Sequence, residues 1–206
     1  YLLLHPGGRS RDQVGDALWP EATDARAKNS FHVTLHHLRK ALGHPEWIGI
    51  EGERYRVEPR VTVRFDAQEF EARGRAALAA DDPDGLAAAL ALYRGGLLEG
   101  DSVGRWVEEH RERLQRLHAD LALALGRHLE RDDPAKAAEH YRALAAREEL
   151  DEEVHRRLMS ALARSGDRVA ALRHYERLTA LLDRALEAEP EAETRDLYDL
   201  IRSGAA

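Results

Sequence analysis

Between Asp24 and Leu42 the chain reads DARAKNSFHVTLHHLRKAL, a segment dense in guanidinium, ammonium, amide and imidazole groups. At 100° per residue, Arg26, Asn29, Val33, His36, His37 and Lys40 share one side of a helix, while Phe31, Leu35, Leu38 and Leu42 form an apolar stripe on the other. One face is made to bury and the other is free to touch something. Donors of these types suit phosphate oxygens and base edges. An ordinary amphipathic surface helix carries the same pattern, so its neighbours must decide. Other chemistry is poorly supported. His32 and His36 have the i, i+4 spacing of a chelating pair with His37 alongside, yet no HExxH glutamate or partner carboxylate accompanies them, and no metal site is expected. Acidic runs such as Glu108-Glu109, Glu148-Glu149 and Asp151-Glu152-Glu153 point to different helix faces and read as solvated surface. GxxxxGK[ST], GxGxxG and GxSxG are all absent, so neither an enzyme nor a cofactor is expected. Trp19, Trp47 and Trp106 could stack on a base, but each lies where an apolar anchor is needed.

The elements that must position the 24–42 helix follow from turn chemistry. Leu2 to Leu4 before His5-Pro6-Gly7-Gly8 resembles the end of an apolar helix. Ser10 is a good N-cap for RDQVGDALW, which places Val14 and Leu18 inward and closes at Trp19-Pro20. Glu21 to Thr23 connect to the long helix, and Gly43 terminates it. Trp47-Ile48-Gly49-Ile50 and Tyr55-Arg56-Val57 around Gly52-Glu53-Arg54 predict a small hairpin, with Arg54 and Arg56 near its tip. Capped helix, long helix and hairpin form the order of a winged helix-turn-helix, whose long helix enters the major groove while the hairpin reaches a neighbouring groove or the backbone.

From Phe65 the pattern is helical. Phe70, Gly74 and Leu78 space one helix, Asp81-Asp82-Pro83-Asp84 caps another bearing Leu86, Leu90 and Tyr93, and Gly95-Gly96 with Gly100-Asp101 mark a loop. A long helix starting near Arg105 follows, with Trp106, Leu114, Leu117, Leu121 and Leu125 inward. Ala137, His140, Tyr141 and Leu144 then recur 34 positions later as Ala171, His174, Tyr175 and Leu178, and Asp133 recurs as Asp167. That is the tetratricopeptide period, with a small Ala at the helix crossing and Tyr packing into the next helix. Stacked pairs of this kind offer a surface for peptides or other domains.

The chain has 206 residues, 43% hydrophobic and 33% charged, with a formal net charge of −7. Residues 1–66 carry 10 Lys+Arg against 9 Asp+Glu and 5 of the 11 His, hence about +1; residues 67–206 carry 21 against 29, hence −8. The asymmetry suits a DNA-reading head on an acidic interaction body. No apolar run approaches the roughly 18 residues of a membrane span. The absence of cysteine fits a reducing cytoplasm. Tyr1 is not an initiator methionine, so the chain reads as part of something longer, and YLLLHPGG is not a signal peptide.

Taken together, SRDQVGDALWP, ARAKNSFHVTLHHLRKALG, the GERYRV hairpin and VTVRFDAQEFEA resemble the OmpR-type winged helix of the actinomycete antibiotic regulatory proteins, and the resemblance continues into their bacterial transcriptional activator domain. The fold expected is mainly α: a winged helix over residues 1–64, lacking the family's preceding strands, and a TPR-like all-α repeat domain over 65–206. The resemblance implies a transcriptional regulator, an activator in type, that binds double-stranded DNA, with the helical domain serving homodimerisation or contact with RNA polymerase. Asn29 and His36 are the candidates for base contact. Arg26, Lys28, Arg39, Lys40 and Arg54 are expected mainly to neutralise phosphates, and Val33, His37 and Arg56 complete the candidate surface. The alternatives are a repeat scaffold whose front module binds protein, and a sensor whose repeat surface takes a small effector.

Overall fold

In the computed structural model, residues 1–100 and 104–204 are described; Asp101, part of the expected loop, and Ala205 and Ala206 at the end of the expected back domain lie outside the described residues. The chain divides into two compact units, Tyr1–Ala72 with Leu92–Gln115, and Arg73–Ala91 with Arg116–Ala206. The fold is mainly helical, a winged helix-turn-helix with a small sheet followed by TPR-like helices.

In the first unit the leading leucines make a single 3-10 turn, Leu2–Leu4. Helix α1, Arg11–Leu18, begins at a capping box: the Ser10 hydroxyl accepts from the Gln13 N–H at 3.2 Å, and the Gln13 side chain accepts from the Ser10 N–H at 3.0 Å. Helix α2, Asp24–Leu42, ends at Gly43, whose φ of +69° is a left-handed cap open to glycine at little cost. The two helices approach closely because Gly15 has no side chain; a Cβ there would touch that of Ala27 at 3.5 Å. The hairpin pairs β2, Ile48–Glu51, with β3, Arg54–Val57, in the register Ile48↔Val57 and Glu51↔Arg54. A third strand absent from the sequence reading, β1 (Arg9–Ser10), pairs antiparallel with β3 on its other side. Gly8, just before β1 at φ +77°, admits that approach: a Cβ there would sit 3.1 Å from that of Arg54. Helix α3, Asp66–Ala80, places Phe70 in this unit against Tyr93, ring centroids 5.2 Å apart. Arg111 donates to the carbonyls of Leu97 at 2.7 Å and Leu98 at 2.6 Å.

In the second unit, aspartates open the helices. Asp82 caps α4 (Pro83–Leu90), Asp133 caps α6 (Pro134–Ala145), Asp151 caps α7 (Glu152–Arg164) and Asp167 caps α8 (Arg168–Leu186); α5 spans Glu108–Asp132 between α4 and α6. Tyr93, expected on the helix of Leu86 and Leu90, lies past the end of α4. The 34-residue repeat maps onto α6 and α8: Ala137 and Ala171 are fully buried and Leu144 and Leu178 nearly so. Tyr175 packs forward onto Tyr198 of α9 (Ala192–Ser203), centroids 4.1 Å apart. Tyr141 packs back onto α5, its hydroxyl donating to Glu130 at 2.6 Å across Gly126. Helix α9 has no side-chain cap of its own; Glu152 of α7 accepts from the Glu191 N–H at 2.9 Å and from the Thr194 hydroxyl at 2.6 Å.

Two outcomes follow for the second unit. Gly126→Ala sets a Cβ 2.4 Å from the Tyr141 ring, so despite better helix propensity it should cost about 1–3 kcal/mol, read as a lower urea midpoint. Burial lowers His118 and His174 from 6.5 to about 4. Between those values the unfolded chain binds the extra protons, so these residues stabilise the fold above about pH 6.5, and that contribution is lost as pH falls towards 4. Thermal midpoints across this window should decline with falling pH, and less so in His174→Gln.

Candidate nucleic-acid interface

The candidate surface is built on α2. Arg26, Lys28, Asn29, Val33, His36, His37 and Lys40 are all exposed. Arg26, Lys28 and Lys40 have no acidic partner among the described residues. Asp24 in the first turn and Lys40 in the last match the helix dipole, with cations where the carbonyls end. Opposite them, Phe31 alone is fully buried, with its ring 4.7 Å from that of Tyr55 on β3. The rest of the expected stripe is less covered: Leu35 and Leu42 are half-buried and Leu38 is 39% exposed. The reason is local. These leucines line a cavity of about 920 Å³ together with Trp47, Val57 and Val63, so the apolar side faces an open hollow rather than a filled core.

Three of the candidate cations are engaged within the protein. Arg39 is half-buried, and its Nη2 donates to the Ile48 carbonyl at 2.7 Å, which anchors the end of α2 to the start of β2. Arg56 pairs with Glu51 at 2.5 Å across the hairpin, on the face it shares with Gly49 and Arg54. Arg54 is exposed at the tip, its guanidinium 3.4 Å from the Gly8 carbonyl. The alternation of β3 sends Tyr55 and Val57 to the opposite face, toward Phe31 and the hollow. Sequence reasoning missed Arg9, which β1 lays beside the hairpin opposite Tyr55. A two-residue strand carries no periodicity, and only the completed pairing brings Arg9 there. Among the described residues no group of three or more His, Asp or Glu gathers as metal ligands; His36 and His37 are in ring contact, centroids 5.8 Å apart. No described helix is long and apolar enough to cross a membrane.

Residues 63–202, more than half of the chain, match the family described as the bacterial transcriptional activator domain. Regulatory protein AfsR of Streptomyces griseus is 29% identical over 212 residues, an alignment spanning 97% of this chain and 21% of that protein. Mycobacterium tuberculosis EmbR, solved in complex with a low affinity phosphopeptide, is similar in fold with a TM-score of 0.73 at 24% identity, over 96% of this chain and 55% of that one. The chain thus spans about a fifth of the length of the curated relative it matches.

The contrast between adjacent residues Arg39 and Lys40 is directly testable. Arg39→Ala leaves the Ile48 carbonyl without its donor and should destabilise the first unit by about 1–3 kcal/mol in urea unfolding. Lys40→Ala, exposed and unpartnered, should change stability by less than about 0.5 kcal/mol.

Proposed function

This chain belongs to the bacterial transcriptional activator domain family, and on that premise we propose that it is part of a transcriptional regulator whose winged helix, residues 1–64, binds promoter DNA. Helix α2 lies in the major groove with its polar side inward to the bases. Asn29 and His36 contact base edges, Arg26, Lys28 and Lys40 hold phosphates, and Val33 and His37 complete the groove-facing surface. Arg54 at the hairpin tip meets the backbone beside the groove, with Arg39 and Arg56 set behind this first row of contacts. The helical domain, residues 65–206, mediates dimerisation or contact with RNA polymerase, and the regulator is an activator.

One observation carries this reading: a row of exposed donors on α2, three of them cations with no acid beside them, backed by the buried Phe31 that holds the row outward. A cation that has no partner in the protein gives up nothing when it meets a phosphate, apart from its hydration. The likeness of the fold to EmbR and the alignment with a regulatory protein support the same reading.

Fluorescence anisotropy on a selected promoter fragment and on random duplex, over a series of salt concentrations, separates the roles. Lys40→Ala should weaken both duplexes alike and flatten the log–log salt slope by about one unit. Asn29→Ala should leave the slope unchanged and narrow the preference for the promoter by about 1–3 kcal/mol. Equal loss on both duplexes for Asn29→Ala removes base reading from that residue, and no retention of the wild type on duplex DNA at low salt removes the DNA-binding role altogether.

A further inference from the structure

The repeat pair contains a second feature that DNA contact does not use. Between the end of α6, the middle of α7 and the first turns of α8 lies a pocket of about 250 Å³. Its walls are chiefly apolar, including Leu158, Leu162, Leu178 and Leu181, and its polar lining is Arg142, Arg177, His155 and His174. His155 is buried, and its ring stacks on that of His174 at a centroid distance of 5.0 Å. A carbonyl can only accept, so the 2.9 Å contact of His155 Nε2 with the Glu149 carbonyl fixes the proton on that nitrogen. His155 Nδ1 is then an acceptor in the neutral ring, and at 2.8 Å it takes the proton of His174 Nε2. The chain ends at His174 Nδ1, an acceptor in the neutral ring, which has no hydrogen-bond partner among the described residues.

The two arginines are similarly uncommitted. Both are exposed, neither has a carboxylate partner among the described residues, and the one hydrogen bond of Arg177 is from Nε to the Arg173 carbonyl at 3.3 Å. A pair of cations without acidic partners over an apolar floor gives the pocket both a charge and a shape. We infer that this pocket binds a carboxylate carried on a short apolar stem.

Size and lining select that chemistry. Sites for drug-sized ligands run from about 300 to 1,000 Å³, so this one takes a single side chain or a small acid. The leucines would receive the stem, and the arginines would clamp the carboxylate with bidentate, charge-assisted bonds. Inorganic phosphate offers the leucines nothing. The carboxylate can come from a free acid or from a glutamate of an acidic partner peptide. Binding is coupled to a proton: burial chiefly disfavours the imidazolium of both rings, the neighbouring His155 with Arg177 from α8 and Arg142 from α6 disfavour that of His174 further, and Asp151 and Glu152 at the start of α7 offset part of the cost for His155. An anion seated between the arginines relieves their share of that cost and favours a proton on His174 Nδ1, which then donates to it.

The test follows the histidine ring and arginine Nε signals by nitrogen-15 NMR in residues 1–206, titrated with butyrate and a blocked Leu-Glu-Leu tripeptide. Butyramide, the Leu-Gln-Leu tripeptide and inorganic phosphate serve as comparisons. The carboxylates should shift His155, His174, Arg142 and Arg177 saturably, several-fold more tightly near pH 6 than near pH 7.5. The tighter of the two carboxylates identifies the source. The double variant Arg142→Gln with Arg177→Gln, both exposed positions whose retained fold is checked by circular dichroism, should weaken binding about tenfold or more. Equal shifts from the amides, tighter binding of phosphate than of either carboxylate, or unchanged affinity in the folded double variant would overturn the inference.

Discussion

The contact of Phe31 with Tyr55 sets the orientation of everything on α2. Removing a buried phenylalanine costs about 3–5 kcal/mol, more than any single cap or exposed ion pair at its ends contributes. A rotation of the helix by one residue would lift Phe31 out and bring His32 or Ser30 inward. The helix therefore has one stable rotational setting, and its exposed donors inherit their direction from an apolar contact to which they make no contribution. Gly15 reinforces this by letting α1 and α2 meet at Ala27, so the angle between the helices rests on backbone proximity instead of on side chains that could repack.

The second unit solves a different problem, that of stacking polar helices around a narrow core. Ala137 and Ala171 permit close crossing, and the aspartate caps satisfy the N–H groups that each new helix start would otherwise leave unpaired. The same economy extends to buried imidazoles. Half-buried His140 meets the Ala122 carbonyl at 2.7 Å and buried His155 meets the Glu149 carbonyl at 2.9 Å, so these two rings each have a backbone partner. Partial burial makes the charged form of His174 costly, so that ring is neutral at pH 7.

Much of this was legible from local rules. Ser10, Trp19-Pro20, Gly43 and the 3.6-residue spacing place α1 and α2, and Gly52 places the hairpin, because caps and turns depend on residues within four positions of one another. The repeat was legible because its small and capping residues return at a fixed interval. Three features were not. Strand β1 exists only through pairing with a segment some 46 residues away. Leu38 has the spacing of a core residue, but whether anything covers a stripe depends on what stands opposite, and here that is a hollow. Residues 92–115 group with the front of the chain although their pattern is that of the helices that follow. On the candidate surface, residue type made Arg39 an expected phosphate contact and could not reveal that a carbonyl nine residues on would take its guanidinium.

That distinction between committed and uncommitted cations bears on how any anion would be held. Arg39 must break a 2.7 Å bond to a half-buried carbonyl before reaching outward, and Arg56 must leave Glu51. Each such exchange subtracts the lost interaction from the one gained, and an unsatisfied carbonyl alone costs about 1–3 kcal/mol. Arg26, Lys28 and Lys40 carry no such debt, nor does Arg142 in the second unit, while Arg177 holds only a 3.3 Å bond to the Arg173 carbonyl. Counting positive charges therefore overstates what each surface can offer. Among the described residues, the charge of Arg26, Lys28 and Lys40 along α2, and of Arg142 and Arg177 lining the pocket with His174, is not held by an acid after folding.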